Sequence, residues 1–375
     1  MHKGLTTFRA FAFFAVFLFH VGELRIGYLG VQAFFVLSGF LLTPILLDMK
    51  SNLGTKDFFL HFYGRRALRI FPLYYFYLTL VALLSFAAIS RLEFFNDAEV
   101  NSFLAQLPWS ATFTYNFIQA SIYAQETKLV SHFWSLAVEE QFYLVWPLAI
   151  FIVPQKHLKT FLILAAASGL VFRCLMAYIS LNQLAPMLHP KTDVLIYLLT
   201  FTQIDAFVIG GFFALYVKGR SGLSVWFFIL AVIVIGLMAS WITGGNIPWA
   251  SFGYPHFMKD AYKYIWGYTL MSLLFAYILV CVRDRQFLPA IFENPILHYL
   301  GKVSFGMYVY HFPMIWVIGL FPIEGVSKYI LILTAFTATI AVSIASYELM
   351  EKRFLNLKEK YFSRDMQPVA QGVKA

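Results

Sequence analysis

The sequence predicts an all-α, polytopic membrane protein of about ten transmembrane helices with both termini in the cytoplasm. Three observations carry this expectation. First, 60% of the 375 residues are hydrophobic and only 13% are charged, against about 25% charged in soluble domains. The 42 Phe and 22 Tyr far exceed what one soluble core of this size would hold. Second, apolar stretches long enough to cross a bilayer recur at 5–22, 29–47, 72–90, 136–153, 161–179, 194–216, 224–242, 264–282, 303–320 and 329–348. Third, with the N-terminus placed inside, most of the 28 Lys and Arg fall on inside segments, among them Lys50, Arg65, Arg66, Arg69, Lys218, Arg283 and Lys352. That distribution explains the net charge of +9 as membrane topology, and a nucleic-acid partner is not expected.

The first span places Arg9 and His20 eleven residues apart. On a helix they lie within about 20° of one face and about 16 Å apart along the axis. Ionisable groups at such depth usually face a bundle interior or a wet cavity. Two readings stand open: a functional pair, or Arg9 snorkelling to headgroups with His20 closing the far end. No small-residue cleavage site follows the apolar run, so the span is expected to be retained.

The second span opens GVQAFFVLSGFLL, from Gly30 to Leu42. Ser38-Gly39 is a small pair suited to close helix packing, and Gln32 sits at a depth comparable to His20. The segment 48–71 reads as an inside loop ending in YGRRALRIFPLYY. Arg66 and Arg69 share a helix face, and Pro72 marks the start of span three. Paired guanidiniums suit a phosphorylated ligand, although anchoring to anionic lipid explains the same charges.

An outside loop, 91–131, carries Glu93, Asp97, Glu99 and Glu126. SHFWSLAVEEQFYLVWP then delivers His132, Glu139, Glu140 and Gln141 to the start of span four. Glu139 and Glu140 point about 100° apart on a helix, so at most one is expected at a given site. A carboxylate beside His20 would raise the basicity of its imidazole. In the fifth and sixth spans, Arg173 and Asp205 are candidates for a buried pair, with Arg9 the other possible partner of Asp205. Asp205 is equally a candidate functional residue. The ninth span, GKVSFGMYVYHFP, holds Tyr308, Tyr310 and His311, and the tenth closes with SYELMEKRF. Cys174 and Cys281 both fall within spans, so no disulfide framework is expected. No metal-ligand spacing, nucleophile elbow, P-loop or dinucleotide fingerprint occurs, so no metal is expected.

Taken together, Arg9 with His20, GVQAFFVLSGF, RRALRIFPLYY, WSLAVEEQFYLVWP, IDAFVIGG, GKVSFGMYVYHFP and YELMEKRF resemble the type 3 family of integral membrane acyltransferases. This family includes O-acetylases of O-antigens, exopolysaccharides and Nod factors. The motifs follow the family's order and span essentially the whole chain. The resemblance implies a ten-helix core that takes an acyl group, usually acetyl, from cytoplasmic acyl-CoA and transfers it to a hydroxyl of an acceptor. It implies a multi-pass protein of the inner or plasma membrane, working in cell-envelope polysaccharide modification with acyl-CoA, a carbohydrate or glycan, and membrane lipid as partners.

Carried over by position, the resemblance makes His20 the catalytic base, with Arg9 and Glu139 as further catalytic residues. Arg66 and Arg69 match the element associated with the CoA end. Gln32, Ser38, Asp205, Tyr310 and His311 are candidates for the substrate path, and Gln32, Ser38 and Tyr310 for an oxyanion donor. The chain departs from the family pattern at Gln32, where Asp is common, and at Gln203, where an Arg often precedes the Asp-Ala pair. Lys352-Arg353 stands in place of Arg-Pro. The expected organisation is a transmembrane acyltransferase domain over residues 1–354 and a short cytoplasmic tail over 355–375, the stand-alone form of the family. A transporter or flippase for a glycan or small polar molecule is the main rival, and a scaffold subunit of a polysaccharide-synthesis complex a further one. No internal repeat supports the former.

Overall fold

The computed structural model describes residues 2–91, 97–244, 247–320 and 325–362. Among these residues there is no β-strand beyond an isolated bridge between Ser121 and Leu188. Helix is the expected solution in hydrocarbon, where each backbone polar group must find its partner within the segment. Among the described residues, seven helical segments are long and apolar enough to cross a membrane. They contain α2 (Leu29–Asn52), α3 (Thr55–Arg91), α6 (Phe133–Ile152), α7 (Leu158–Leu181), α10 (Gly222–Ile242), α11 (Lys263–Arg283) and α14 (Lys328–Ser346). The remaining three expected spans are also helical: α1 (Lys3–His20), the pair α8 (Thr192–Leu198) and α9 (Ile204–Tyr216), and α13 (Pro295–Gly319). Short helices α4 (Asp97–Ala111), α5 (Tyr115–Gln119) and α12 (Pro289–Phe292) fill the longer connections. A π-helical turn, Tyr347–Glu351, joins α14 to α15 (Lys352–Tyr361).

Two expectations of local structure are corrected. The segment 48–71 is not a loop: α2 runs to Asn52 and α3 begins at Thr55, so the basic cluster is helical and Pro72 lies inside α3. The single span expected over 194–216 is broken between α8 and α9. No proline or glycine causes the break. Side chains instead replace the missing helical donors, with Thr202 Oγ1 bonded to the carbonyls of Ile196 and Leu199, and Gln203 Nε2 to those of Ile196 and Tyr197. Arg173 Nη1 donates to the Thr202 carbonyl at 2.6 Å. Irregular backbone at such depth persists only where protein groups satisfy it.

The interior is organised around α2, which packs against α9, α1, α11 and α6. At the α2–α9 crossing a Cβ on Gly39 would lie 1.7 Å from the Phe207 carbonyl oxygen, and one on Gly210 2.0 Å from that of Val36. The close approach expected of Ser38-Gly39 is therefore made by the glycine, and Ser38 is left for another use. α1 lies between α2 and α13, and thereby carries Arg9 and His20 into the bundle. Of the acidic residues expected on the outside loop, Glu93 lies outside the described residues. Glu99 accepts from Thr127 Oγ1 at 2.8 Å and also from the Lys128 backbone N–H, so it ties the loop together.

Candidate active site

A cavity of about 440 Å³ opens between α1, α2, α3, α6 and α13. Arg9 of α1, Ser38 of α2, Arg66 and Arg69 of α3, and Glu139 of α6 all line it. Five of the ten candidate residues thus meet in one space, drawn from four helices. Arg66 and Arg69 share a face as their spacing predicts. Arg65, Arg283 and Lys358 add cationic lining, and Phe34, Phe35, Leu37, Leu41 and Phe305 add apolar lining. The walls therefore suit a ligand with an anionic end and a long, less polar arm.

The carboxylates are placed differently from expectation. Both Glu139 and Glu140 line the cavity, because it is wide enough to wrap around more than one face of α6. Glu139 is not beside His20: its Oε1 accepts from both Ser38 Oγ and Tyr143 Oη. The latter two lie 3.2 Å apart, closing a three-membered cluster on the cavity wall. The Arg66 guanidinium sits 5.5 Å from the centre of the Tyr143 ring, a cation–π arrangement. Two buried polar atoms at this wall, Arg66 Nε and Glu140 Oε1, have no hydrogen-bond partner among the described residues. Such groups are costly unless a ligand or water completes them.

His20 does not line the cavity. It belongs to a histidine cluster beyond the cavity wall, with its Nδ1 2.9 Å from His311 Nε2. The two ring centroids lie 5.0 Å apart with the planes inclined by 29°, and Phe13 and Phe312 pack edge-on or tilted around them. The His132 ring lies 5.1 Å from that of His311, and His132 Nε2 bonds the Val309 carbonyl at 3.1 Å. Tyr308 joins the two regions. It lines the cavity, hydrogen-bonds Ser135 at 2.5 Å and donates to the His132 carbonyl at 3.1 Å. Its own carbonyl meets His311 Nδ1 at 2.7 Å.

Three candidates are engaged elsewhere. Gln32 is buried and donates to Ser272 Oγ at 2.9 Å, not to His20. Tyr310 donates to Ser346 Oγ at 3.2 Å on the far side of α13. Asp205 is held by Arg173 and not by Arg9, and is fully buried at the start of α9. Tyr143, Tyr308 and Ser135 were not selected by sequence reasoning. The spacing gives a signal for Ser135 and Tyr143, which stand four residues either side of Glu139 and so share its helix face. Arg283 and Lys358 gave no such signal. Among the described residues no group of histidine, cysteine and carboxylate side chains is arranged to hold a metal ion.

Comparison with known proteins places this geometry in a family. The chain is 27% identical over 394 residues to O-acetyltransferase OatA of Staphylococcus aureus (strain MRSA252), which covers 96% of this chain and 60% of that protein. It is 27% identical over 379 residues to O-acetyltransferase OatA of Staphylococcus aureus (strain NCTC 8325 / PS 47), covering 94% of this chain and 57% of that one. The chain therefore spans somewhat over half the length of these relatives. No solved structure matches it. The sequence profile of the family described as an acyltransferase domain matches residues 2–348. With that match running through every helix that lines the cavity except α15, the chain belongs to the type 3 family of integral membrane acyltransferases.

Proposed function

We propose that the protein is a membrane O-acyltransferase that moves an acyl group, acetyl by default, from acyl-CoA to a hydroxyl of a carbohydrate or glycan acceptor. In this reading both termini are cytoplasmic, residues 1–354 form the catalytic membrane domain, and the membrane is the inner or plasma membrane. The observation that carries it is the cavity itself. Arginines converge at it, apolar side chains line it beside them, and through Tyr308 its wall is hydrogen-bonded to the histidine that touches His20.

Arg66 and Arg69 would hold the phosphates of the donor, because a planar guanidinium fork matches phosphate oxygens. Arg9 would meet the donor deeper in the cavity. The orphaned Arg66 Nε fits this role, as a buried donor waiting for an anion. His20 would take the proton of the acceptor hydroxyl as its oxygen attacks the thioester carbonyl. The new C–O bond forms, the C–S bond breaks, and CoA leaves as the thiol once protonated. Glu139, held by Ser38 and Tyr143, would act on the donor side of this reaction and not as the partner of His20. The relatives named O-acetyltransferase support acetyl as the group carried.

The experiment supplies purified protein with acetyl-CoA and a panel of glycans and follows thiol release. Wild-type protein should release thiol only with an acceptor. His20→Ala should lose activity by about 10²–10⁴-fold, the range of a missing general base. Arg66→Ala with Arg69→Ala should raise the KM for acetyl-CoA by about 100-fold, since charge-assisted hydrogen bonds contribute about 1.5–3 kcal/mol each. Full activity in His20→Ala would remove the base assignment. Glycan crossing the membrane with no donor consumed would replace the enzyme reading with translocation.

A further inference from the structure

The hydrogen-bond pattern around His311 fixes more than its position. A backbone carbonyl oxygen has no proton to give, so the 2.7 Å contact from His311 Nδ1 to the Tyr308 carbonyl requires the proton on Nδ1. In a neutral imidazole Nε2 is then a bare lone pair. That lone pair faces His20 Nδ1 at 2.9 Å, so the proton of this contact belongs to His20 Nδ1. By the same rule His20 Nε2 is left unprotonated. The chain of three groups, carbonyl to His311 to His20, therefore has one consistent assignment while both rings are neutral.

The surroundings of His311 hold its ring in that state. His311 is fully buried, and its neighbours are the aromatic rings of Phe13, Tyr308 and Phe312 together with His132 and His20. Ion pairs of the described residues do not include it. A neutral ring costs far less to bury there than a charged one. The carbonyl that orients His311 comes from the preceding turn of the same helix, so the orientation is set by α13 itself and does not depend on a ligand.

We infer that His311 is a positioning residue that fixes the tautomer of His20, presenting His20 Nε2 as the proton acceptor for the incoming hydroxyl. His311 itself touches neither substrate. It holds the His20 ring by accepting from Nδ1, and it strengthens Nε2 as a base by stabilising the imidazolium once a proton arrives. This inference rests on the proposed role of His20 as base and adds which nitrogen acts and what aims it.

The test compares His311→Ala and His311→Gln in thiol-release assays, with acetyl-CoA binding measured separately on each purified variant. A glutamine Oε1 can occupy the place of Nε2 and accept from His20 Nδ1, whereas alanine cannot. The expected result is a kcat about 100-fold lower in His311→Ala, as for loss of a general base's orientation, with KM and Kd for acetyl-CoA unchanged. His311→Gln should recover most of the lost kcat. Wild-type kcat in His311→Ala while His20→Ala is inactive would overturn this inference alone. Equal losses in both His311 variants, together with weakened acetyl-CoA binding, would show a packing role and overturn it as well. An active His20→Ala would remove the base assignment and this inference together.

Discussion

Arg173 and Asp205 form a two-point ion pair with both side chains fully buried: Nη1 donates to Oδ1 at 2.9 Å and Nη2 to Oδ2 at 2.8 Å. Thr269 Oγ1 adds a bond to Oδ2 at 2.5 Å, and Arg173 Nε donates to the Ile265 carbonyl at 2.6 Å. The pair thus ties α7, α9 and α11 together at the broken segment, away from the cavity. Removing one partner leaves the other charged and buried.

Asp205→Ala should therefore destabilise the protein by about 3–5 kcal/mol, the cost of breaking a buried pair from one side. Replacing both residues by apolar ones should recover part of the loss, since the unpaired charge disappears. Thermal unfolding in detergent measures both effects. If Asp205→Ala melts like wild type yet fails in turnover, Asp205 belongs to the reaction after all.

The α2–α9 crossing makes a second prediction. Gly39→Ala places a Cβ where the Phe207 carbonyl already sits, so the two helices must separate. Overpacking of this kind costs about 1–3 kcal/mol. Gly54→Ala is the matched control, because nothing lies within 4 Å of its would-be Cβ and the residue is in the short α2–α3 connection. Gly39→Ala should melt several degrees earlier and Gly54→Ala should not. Equal melting of the two would mean that the crossing is looser than it stands here.

Much of this architecture is legible in the sequence because hydrocarbon leaves a helix few alternatives. The ten apolar stretches are built of helix, one of them in two pieces, and Arg66 and Arg69 share a wall because spacing alone puts them there. The break at 199–203 is not legible. It depends on Arg173, far along the chain, reaching the Thr202 carbonyl, and on Thr202 and Gln203 folding back on their own segment. The site divides in the same way. Glu139 faces the cavity as its helix dictates, but its partner is Ser38, about one hundred residues earlier, and nothing in either motif names the other. His20 turns to His311, 291 residues away, and Gln32 turns to Ser272. These choices belong to tertiary packing, which spacing within one helix does not encode.

The Ser38–Glu139–Tyr143 cluster predicts a coupling. Both hydroxyls donate to the same carboxylate oxygen, so removing one changes what the other can do. Ser38→Ala and Tyr143→Phe should each lower kcat/KM about tenfold, the size of one hydrogen bond to a charged group. The double variant should fall short of the product of the two losses, with an interaction energy of about 0.5–1 kcal/mol. Strict multiplication of the single effects in a double-mutant cycle would mean that the carboxylate is not shared in the working enzyme.

α15 lies beyond the end of the family match, yet it supplies Lys358 to the cavity. Two groups of contacts hold it against α3. Arg65 donates to both oxygens of Glu359, at 3.2 and 3.0 Å, and also to the Phe362 carbonyl. The Phe362 ring covers Gly64, where a Cβ would come within 2.4 Å of it, and stands edge-on to His61. Gly64→Leu should therefore push Phe362 away and lift α15 from the cavity mouth. If Lys358 assists in holding the anionic end of the donor, Gly64→Leu and Lys358→Ala should raise the KM for acetyl-CoA by a similar factor, about three- to tenfold, with kcat unchanged. The wild-type KM should also rise with salt, because screening weakens attraction between partly exposed charges. Steady-state kinetics at two ionic strengths provides the check. A kcat loss in Gly64→Leu with no change in KM would instead show that α15 supports the catalytic helices and takes no part in donor binding.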